Sequence, residues 1–198
     1  MSKKRKKKKH RSLRGVEVAS PKTIEKPTTL YWAYGSNLNK RQMKWRCPKA
    51  KPVAPLSLQG GQLTFRLFAD VESAEGGVIA GGLWRITREC ERELDVYEGV
   101  NSNHYEKRYL LLRMPDGREE KCLYYKMIDE GVMAPTEHYF ETIRQGYKDF
   151  GLDQTLLDGA LARAWQDREK TPYLLSRWEA KRRPRLLKIA ESEGKTVQ

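Results

Sequence analysis

Five consecutive residues, Tyr34-Gly35-Ser36-Asn37-Leu38, carry the densest chemistry in the sequence. A glycine permits positive φ and leaves no Cβ above a turn, so successive backbone N–H groups can point outward, backed by the positive end of a following helix. Ser36 and Asn37 add short polar groups at the same place. The run is a candidate cradle for a carboxylate or phosphate; it fits a plain helix N-cap as well, because strand-glycine-helix turns are common. Glu98 is the second candidate, at the border of the apolar face formed by Cys90, Leu94 and Tyr97 and next to Gly99. Desolvation at such a border raises a carboxyl pKa, which a general base working near neutrality requires. Periodicity does not single it out, since Glu93 borders the same face from the other side, while Glu91 and Asp95 are expected to face water. Three tyrosines form the third group: Tyr105 and Tyr125 on two strands and Tyr139 at the start of a helix. Alternation places Tyr105 with Tyr109 and Leu111 on one face, so spacing alone reads them as sheet core with hydroxyls satisfied at the edge.

A mainly β core must position these groups. Leu30-Tyr31-Trp32-Ala33-Tyr34 is a short run of β-formers stopped by Gly35, after which Ser36 and Asn37 can cap a helix over 38–45. Over 53–68 and 77–86 apolar residues alternate with polar or small ones and glycines sit mid-run, the pattern of bent strands in a small closed sheet. Thr87 can cap the helix that Gly99 ends. Residues 104–114 and 119–127 read as a hairpin around Pro115-Asp116-Gly117. Beyond Pro135 the period changes: Phe140, Ile143, Tyr147 and Phe150 recur at helical spacing, and so do Leu157, Leu161, Ala164 and Trp165 after the capping residue Asp153. A third helix is expected near Tyr173, interrupted by Pro184.

Charge divides the chain in the same way. Of 39 Lys/Arg and 26 Asp/Glu, residues 1–26 hold 11 against 2, residues 171–198 hold 7 against 3, and residues 27–170 are balanced at 21 against 21. The net charge of +13 therefore sits at the two ends, whereas a basic nucleic-acid-binding fold carries its charge on the folded domain. The expectation is a disordered basic tail over 1–26, one domain over 27–170 and a basic helical or disordered tail over 171–198. The lysine run could attract nucleic acid nonspecifically or serve only to solubilise. Cys47, Cys90 and Cys122 lack the spacing of a zinc site or a disulfide framework, so they are expected to be reduced and packed, with no metal. No apolar run approaches the roughly 18 residues of a membrane span and no secretory signal is present, so a soluble, cytoplasmic protein is expected.

The turn Tyr34-Gly35-Ser36-Asn37-Leu38 after a short strand, then Leu94-Asp95-Val96-Tyr97-Glu98-Gly99-Val100 about sixty residues later with Tyr105 soon after, resembles the gamma-glutamylcyclotransferase-like superfamily, which includes the AIG2-like proteins. The resemblance runs over 30–127 and extends into His138-Tyr139-Phe140, Gly146 and Phe150-Gly151-Leu152. It implies an α+β fold, a small, mostly antiparallel β-barrel with flanking helices, whose cavity holds a γ-glutamyl group. It implies that Tyr34, Gly35, Ser36, Asn37 and Leu38 bind the substrate carboxylate through backbone amides, that Glu98 is the acid/base residue, and that Tyr105, Tyr125 and Tyr139 line the pocket. The activity implied is cyclisation of a γ-glutamyl amino acid or amine to 5-oxoproline, with no cofactor. The alternative is a non-catalytic barrel of the same family, held on nucleic acid or a ribosome by its basic tails.

Overall fold

The computed structural model describes residues 28–114 and 116–167. The expected tails over 1–26 and 171–198 and the helix near Tyr173 lie outside the described residues. Strand β1 (Thr28–Ala33) leads through a 3-10 turn (Ser36–Leu38) into α1 (Lys40–Arg46). A long hairpin follows, β2 (Lys51–Arg66) and β3 (Phe68–Thr87), then α2 (Arg88–Tyr97) and a second 3-10 turn (Val100–Ser102). The hairpin of β4 (Tyr105–Arg113) and β5 (Glu119–Met127) precedes α3 (Glu137–Phe150) and α4 (Gln154–Asp167). No helix among the described residues is long and apolar enough to cross a membrane.

The five strands form one sheet in the order β2-β3-β1-β5-β4, antiparallel throughout except where β1 meets β5. That parallel ladder is short, with Leu30 opposite Cys122 and Tyr31 opposite Leu123. The expected closed barrel does not form: β2 and β4 are the two edges, and no ladder joins them. Bulges near Pro52 and Gly61 bend the β2–β3 ribbon without bringing it round to β4. The β2 edge is blunted instead by α4, whose Arg163 donates to the carbonyl of Leu63 at 3.1 Å.

Several local expectations hold and several do not. Thr87 caps α2, accepting from the N–H of Cys90 at 3.3 Å, and Gly99 ends it in the left-handed region at φ +64°. The first helix is capped differently. Ser36 and Asn37 belong to the 3-10 turn, and Asn39 caps α1 by accepting from the Gln42 N–H at 3.0 Å. Strand β3 begins at Phe68, well before 77, because the acidic residues that interrupt its pattern are neutralised in place. Asp70, fully buried, accepts from Arg66 at 3.0 Å, from Lys126 at 2.5 Å and from the N–H of Met127 at 3.0 Å, while Arg66 also pairs with Glu72 at 3.1 Å. Tyr109 and Leu111 are not core: among the described residues Leu111 is 72% exposed, and the Tyr109 ring is half exposed under Lys121. The core lies between the sheet and α3, with Trp32, Phe65, Leu94, Ile143 and Tyr147 fully buried. All three cysteines are free and buried, and burial pushes the Cys47 and Cys122 thiols up to about 12, so they stay protonated.

Candidate active site

The first turn is built by close approach. Leu38 donates its N–H to the carbonyl of Gly35 at 2.9 Å, tightening the chain directly after β1, while the leading N–H groups of such a turn have no acceptor within it. Gly35 does not use positive φ; it sits at φ −109°. Space is tight there: a Cβ would stand 3.2 Å from the Ala69 Cβ, which would have to give by a few tenths of an ångström, and 3.4 Å from the Tyr139 hydroxyl. Across from this turn, the end of α2 delivers Glu98, whose N–H donates to Leu94 at 2.8 Å. The turn and the helix end are stitched together by one bond: Asn37 Nδ2 donates to Glu98 Oε1 at 2.6 Å.

Between them lies a cavity of about 310 Å³. Tyr34, Gly35, Ser36, Asn37, Glu98, Tyr105, Tyr125 and Tyr139 all line it, so the structure gathers eight of the nine residues singled out by sequence. Leu38 is the exception. It is fully buried beneath the turn against Gly146 of α3, and its N–H is occupied by Gly35, so it presents neither side chain nor amide to the cavity.

Glu98 as a residue keeps partial exposure through the cavity, but its carboxyl is crowded by protein. Burial pushes it up to about 7, against the opposing pull of the Arg46 charge and the Asn37 hydrogen bond. A carboxyl titrating there can take up and return a proton near neutrality.

Five tyrosines line the cavity, Tyr97 among them, and the hydroxyls of the other four differ in the bonds they make. Tyr34 donates to the carbonyl of Tyr125 at 2.6 Å, Tyr105 to the carbonyl of Ala69 at 2.8 Å, and Tyr125 to Asp95 at 2.7 Å. Tyr139 instead accepts, from the N–H of Ala69 at 3.2 Å, and its hydroxyl stands at the cavity wall beside Ser36. Burial raises all four well above the ordinary tyrosine range, so they remain neutral hydrogen-bonding groups. Asp95 and Glu91, expected to face water, are both held by Lys107 of β4 at 2.7 Å, because the outer hairpin folds back over α2.

Sequence reasoning missed Arg46, Tyr97 and Tyr31. Arg46 Nη1 donates to Asn37 Oδ1 at 2.7 Å, and its guanidinium stacks 3.6 Å from the centre of the Tyr97 ring. Tyr97, expected on the buried face of α2, is instead 47% exposed, with one ring face against Arg46. Tyr31 accepts from Asn37 Nδ2 at 2.9 Å. The available signal was the i, i+4 pair Gln42 and Arg46 on a short helix directly after the turn, a spacing that puts both on one face. Among the described residues, no group of three His, Cys, Asp or Glu side chains is placed to hold a metal ion.

Comparison with known proteins places the chain among relatives of one family. The model of the AIG2-like family matches residues 78–158. The gamma-glutamylcyclotransferase of Mus musculus is 30% identical over 142 residues, 66% of this chain and 76% of the relative, and that of Bos taurus is 28% identical over 135 residues, 62% and 72% respectively. Among solved structures, a gamma-glutamyl cyclotransferase superposes with a TM-score of 0.60 at 26% identity, over 69% of this chain and 88% of that one.

Proposed function

Because this chain belongs to the gamma-glutamylcyclotransferase-like superfamily, which includes the AIG2-like proteins, we propose that it cyclises a small-molecule γ-glutamyl amino acid or amine to 5-oxoproline, with Glu98 moving the proton. The observation that carries this reading is the Glu98 carboxyl, pushed up to about 7 and held at the wall of a cavity whose opposite lip is the Gly35–Asn37 turn.

The reaction asks little of the protein beyond placement. A γ-glutamyl amide carries its own nucleophile, the α-amine, which reaches the γ-carbonyl by closing a five-membered ring. Bending the substrate so that the two meet converts the step into an oriented intramolecular one. Glu98 as carboxylate takes the proton from the α-ammonium, the nitrogen bonds to the carbonyl carbon, and a tetrahedral oxyanion forms. The carbon–nitrogen bond to the leaving amine then breaks as Glu98 returns the proton to that nitrogen, and the surplus proton left on the ring nitrogen passes through the regenerated carboxylate to the released amine, giving neutral lactam and an ammonium product. The leading N–H groups of the turn suit the substrate carboxylate. The Tyr139 hydroxyl, which accepts from Ala69 and lines the cavity, is the donor suited to the oxyanion.

Incubation of the purified chain with a panel of γ-glutamyl amino acids and γ-glutamyl amines, assayed for 5-oxoproline and the released amine, tests the reading. Turnover of at least one member is the expected result. No 5-oxoproline from any of them, or turnover unaltered by Glu98→Gln, overturns it.

A further inference from the structure

Resting on that reading and deepening it, we propose that Arg46 is a positioning residue: its grip on the Asn37 carboxamide decides which end of that amide meets Glu98, and so fixes the acid/base carboxyl in the cavity. Arg46 itself is not part of the cavity lining.

An asparagine amide has two ends of nearly equal size, one accepting and one donating, and its neighbours alone choose between the two orientations. Guanidinium nitrogens only donate, so Arg46 Nη1 at 2.7 Å selects the oxygen end of Asn37. The nitrogen end then has two hydrogens for two acceptors, Glu98 Oε1 at 2.6 Å and the Tyr31 hydroxyl oxygen at 2.9 Å. The flipped amide would set its oxygen against the carboxylate and its NH2 against the guanidinium, two repulsive contacts, and only the Tyr31 hydroxyl could adapt by donating. Arg46 is itself clamped: Nη2 donates to Gln42 Oε1 at 2.6 Å and to the Tyr97 hydroxyl at 2.5 Å, Nη1 reaches Ser36 Oγ at 3.4 Å, and the plane lies on the Tyr97 ring. A planar fork can hold these partners at once where an ammonium cannot.

The same residue sets the charge at the site. Tyr31, Tyr34, Tyr105, Tyr125 and Tyr139 face Glu98 as neutral phenols, and His104 and Asp129 line the cavity with it. The Arg46 charge pulls against the burial that raises the Glu98 carboxyl. Removing it favours the protonated acid, so the carboxyl titrates higher and its working form becomes scarcer at neutrality.

Two variants of the full chain separate orientation from bulk structure. Arg46→Gln removes the charge; Arg46→Lys keeps it on a group that cannot bridge Asn37, Gln42 and Tyr97 together. The Glu98 carboxyl is followed directly by carbon NMR on protein labelled at the glutamate side-chain carboxyl, its signal assigned with Glu98→Gln. Turnover of the γ-glutamyl substrate is followed against pH. Arg46→Gln is expected to raise the Glu98 midpoint by about one unit, carry the acid limb of kcat/KM upward with it, and lower kcat while KM stays near the wild-type value. Arg46→Lys is expected to give a midpoint between wild type and Arg46→Gln, with kcat still reduced. A merely structural Arg46 would cost activity equally at every pH. An unmoved midpoint in folded Arg46→Gln overturns the inference; should that variant not fold, a wild-type midpoint in Arg46→Lys does so. If wild type makes no 5-oxoproline, the functional reading fails, and the carboxyl titration still decides the role of Arg46.

Discussion

Gly146 of α3 and Leu38 of the first turn touch with no room for a side chain between them: a Cβ at 146 would stand 2.4 Å from the Leu38 Cβ and 2.7 Å from the Asn39 nitrogen. The helix that carries Tyr139 thus docks on the turn that carries Asn37 by bare backbone. Gly146→Ala is expected to force the two apart, lowering stability by about 1–3 kcal/mol and cutting 5-oxoproline formation. Gly159→Ala in α4 is the matched control, because its Cβ meets nothing nearer than the flexible end of Arg163 at 3.5 Å. That exchange should raise stability by up to about 1 kcal/mol through helix propensity, and thermal melts of the two variants read both effects.

Glu98→Gln keeps the size of the side chain and an oxygen for Asn37, and loses the group that moves the proton. Turnover is expected to fall by about 10²–10⁴-fold, while binding of a γ-glutamyl compound, measured by calorimetry, stays within a few-fold of wild type. Equal loss of binding and turnover would assign Glu98 to holding the substrate instead.

The pH dependence follows from the raised carboxyl. If Glu98 works as carboxylate, kcat/KM should climb with pH along a limb whose midpoint lies near the value of about 7. Stability runs the other way. The folded pKa stands above the unfolded one, so the contribution is full below the unfolded value near 4.5 and is lost as pH rises through about 7. Glu98→Gln removes this dependence. Its melting temperature should exceed that of wild type above neutrality, by an equivalent on the order of 3 kcal/mol, and converge with it at acid pH.

Asp70 holds two cations and a backbone amide while fully buried. Asp70→Asn keeps the shape and leaves Arg66 and Lys126 without their shared anion. The expected cost is about 3–5 kcal/mol, or roughly 10 °C in Tm at about 3 °C per kcal/mol, measured by thermal denaturation. Because Asp70 also fixes the end of β5 through Met127, the melt should broaden as well.

How much of this was written in the sequence depends on range. The caps at Thr87 and Asp153, the helical stripe of Phe140, Ile143, Tyr147 and Phe150, and the outer hairpin are local patterns and were readable. The start of β3 was not, because Asp70 and Glu72 look like loop residues until Arg66 and Lys126 are brought beside them from elsewhere. Nor was sheet closure: alternation with glycines shows that strands bend, and says nothing about whether β2 meets β4 or is covered by α4. At the site, residue spacing named the turn and Glu98 only as two candidates among others. Arg46 stayed hidden because its partners Asn37 and Tyr97 come from different elements, and a charged residue on a short helix ordinarily faces solvent.

The two-pair ladder between β1 and β5 has a mechanical consequence. Within the one sheet it joins the β2-β3-β1 and β5-β4 ribbons, and bonds from Tyr34 to the Tyr125 carbonyl at 2.6 Å and from Met127 to Asp70 at 3.0 Å hold the same seam. Asn37 and Tyr34 follow β1 on one flank, and Tyr105 and Tyr125 stand on the other, with the hollow between them. A compound gripping both flanks is therefore expected to act as a clasp across this seam, slowing amide exchange at Tyr31 and Leu123.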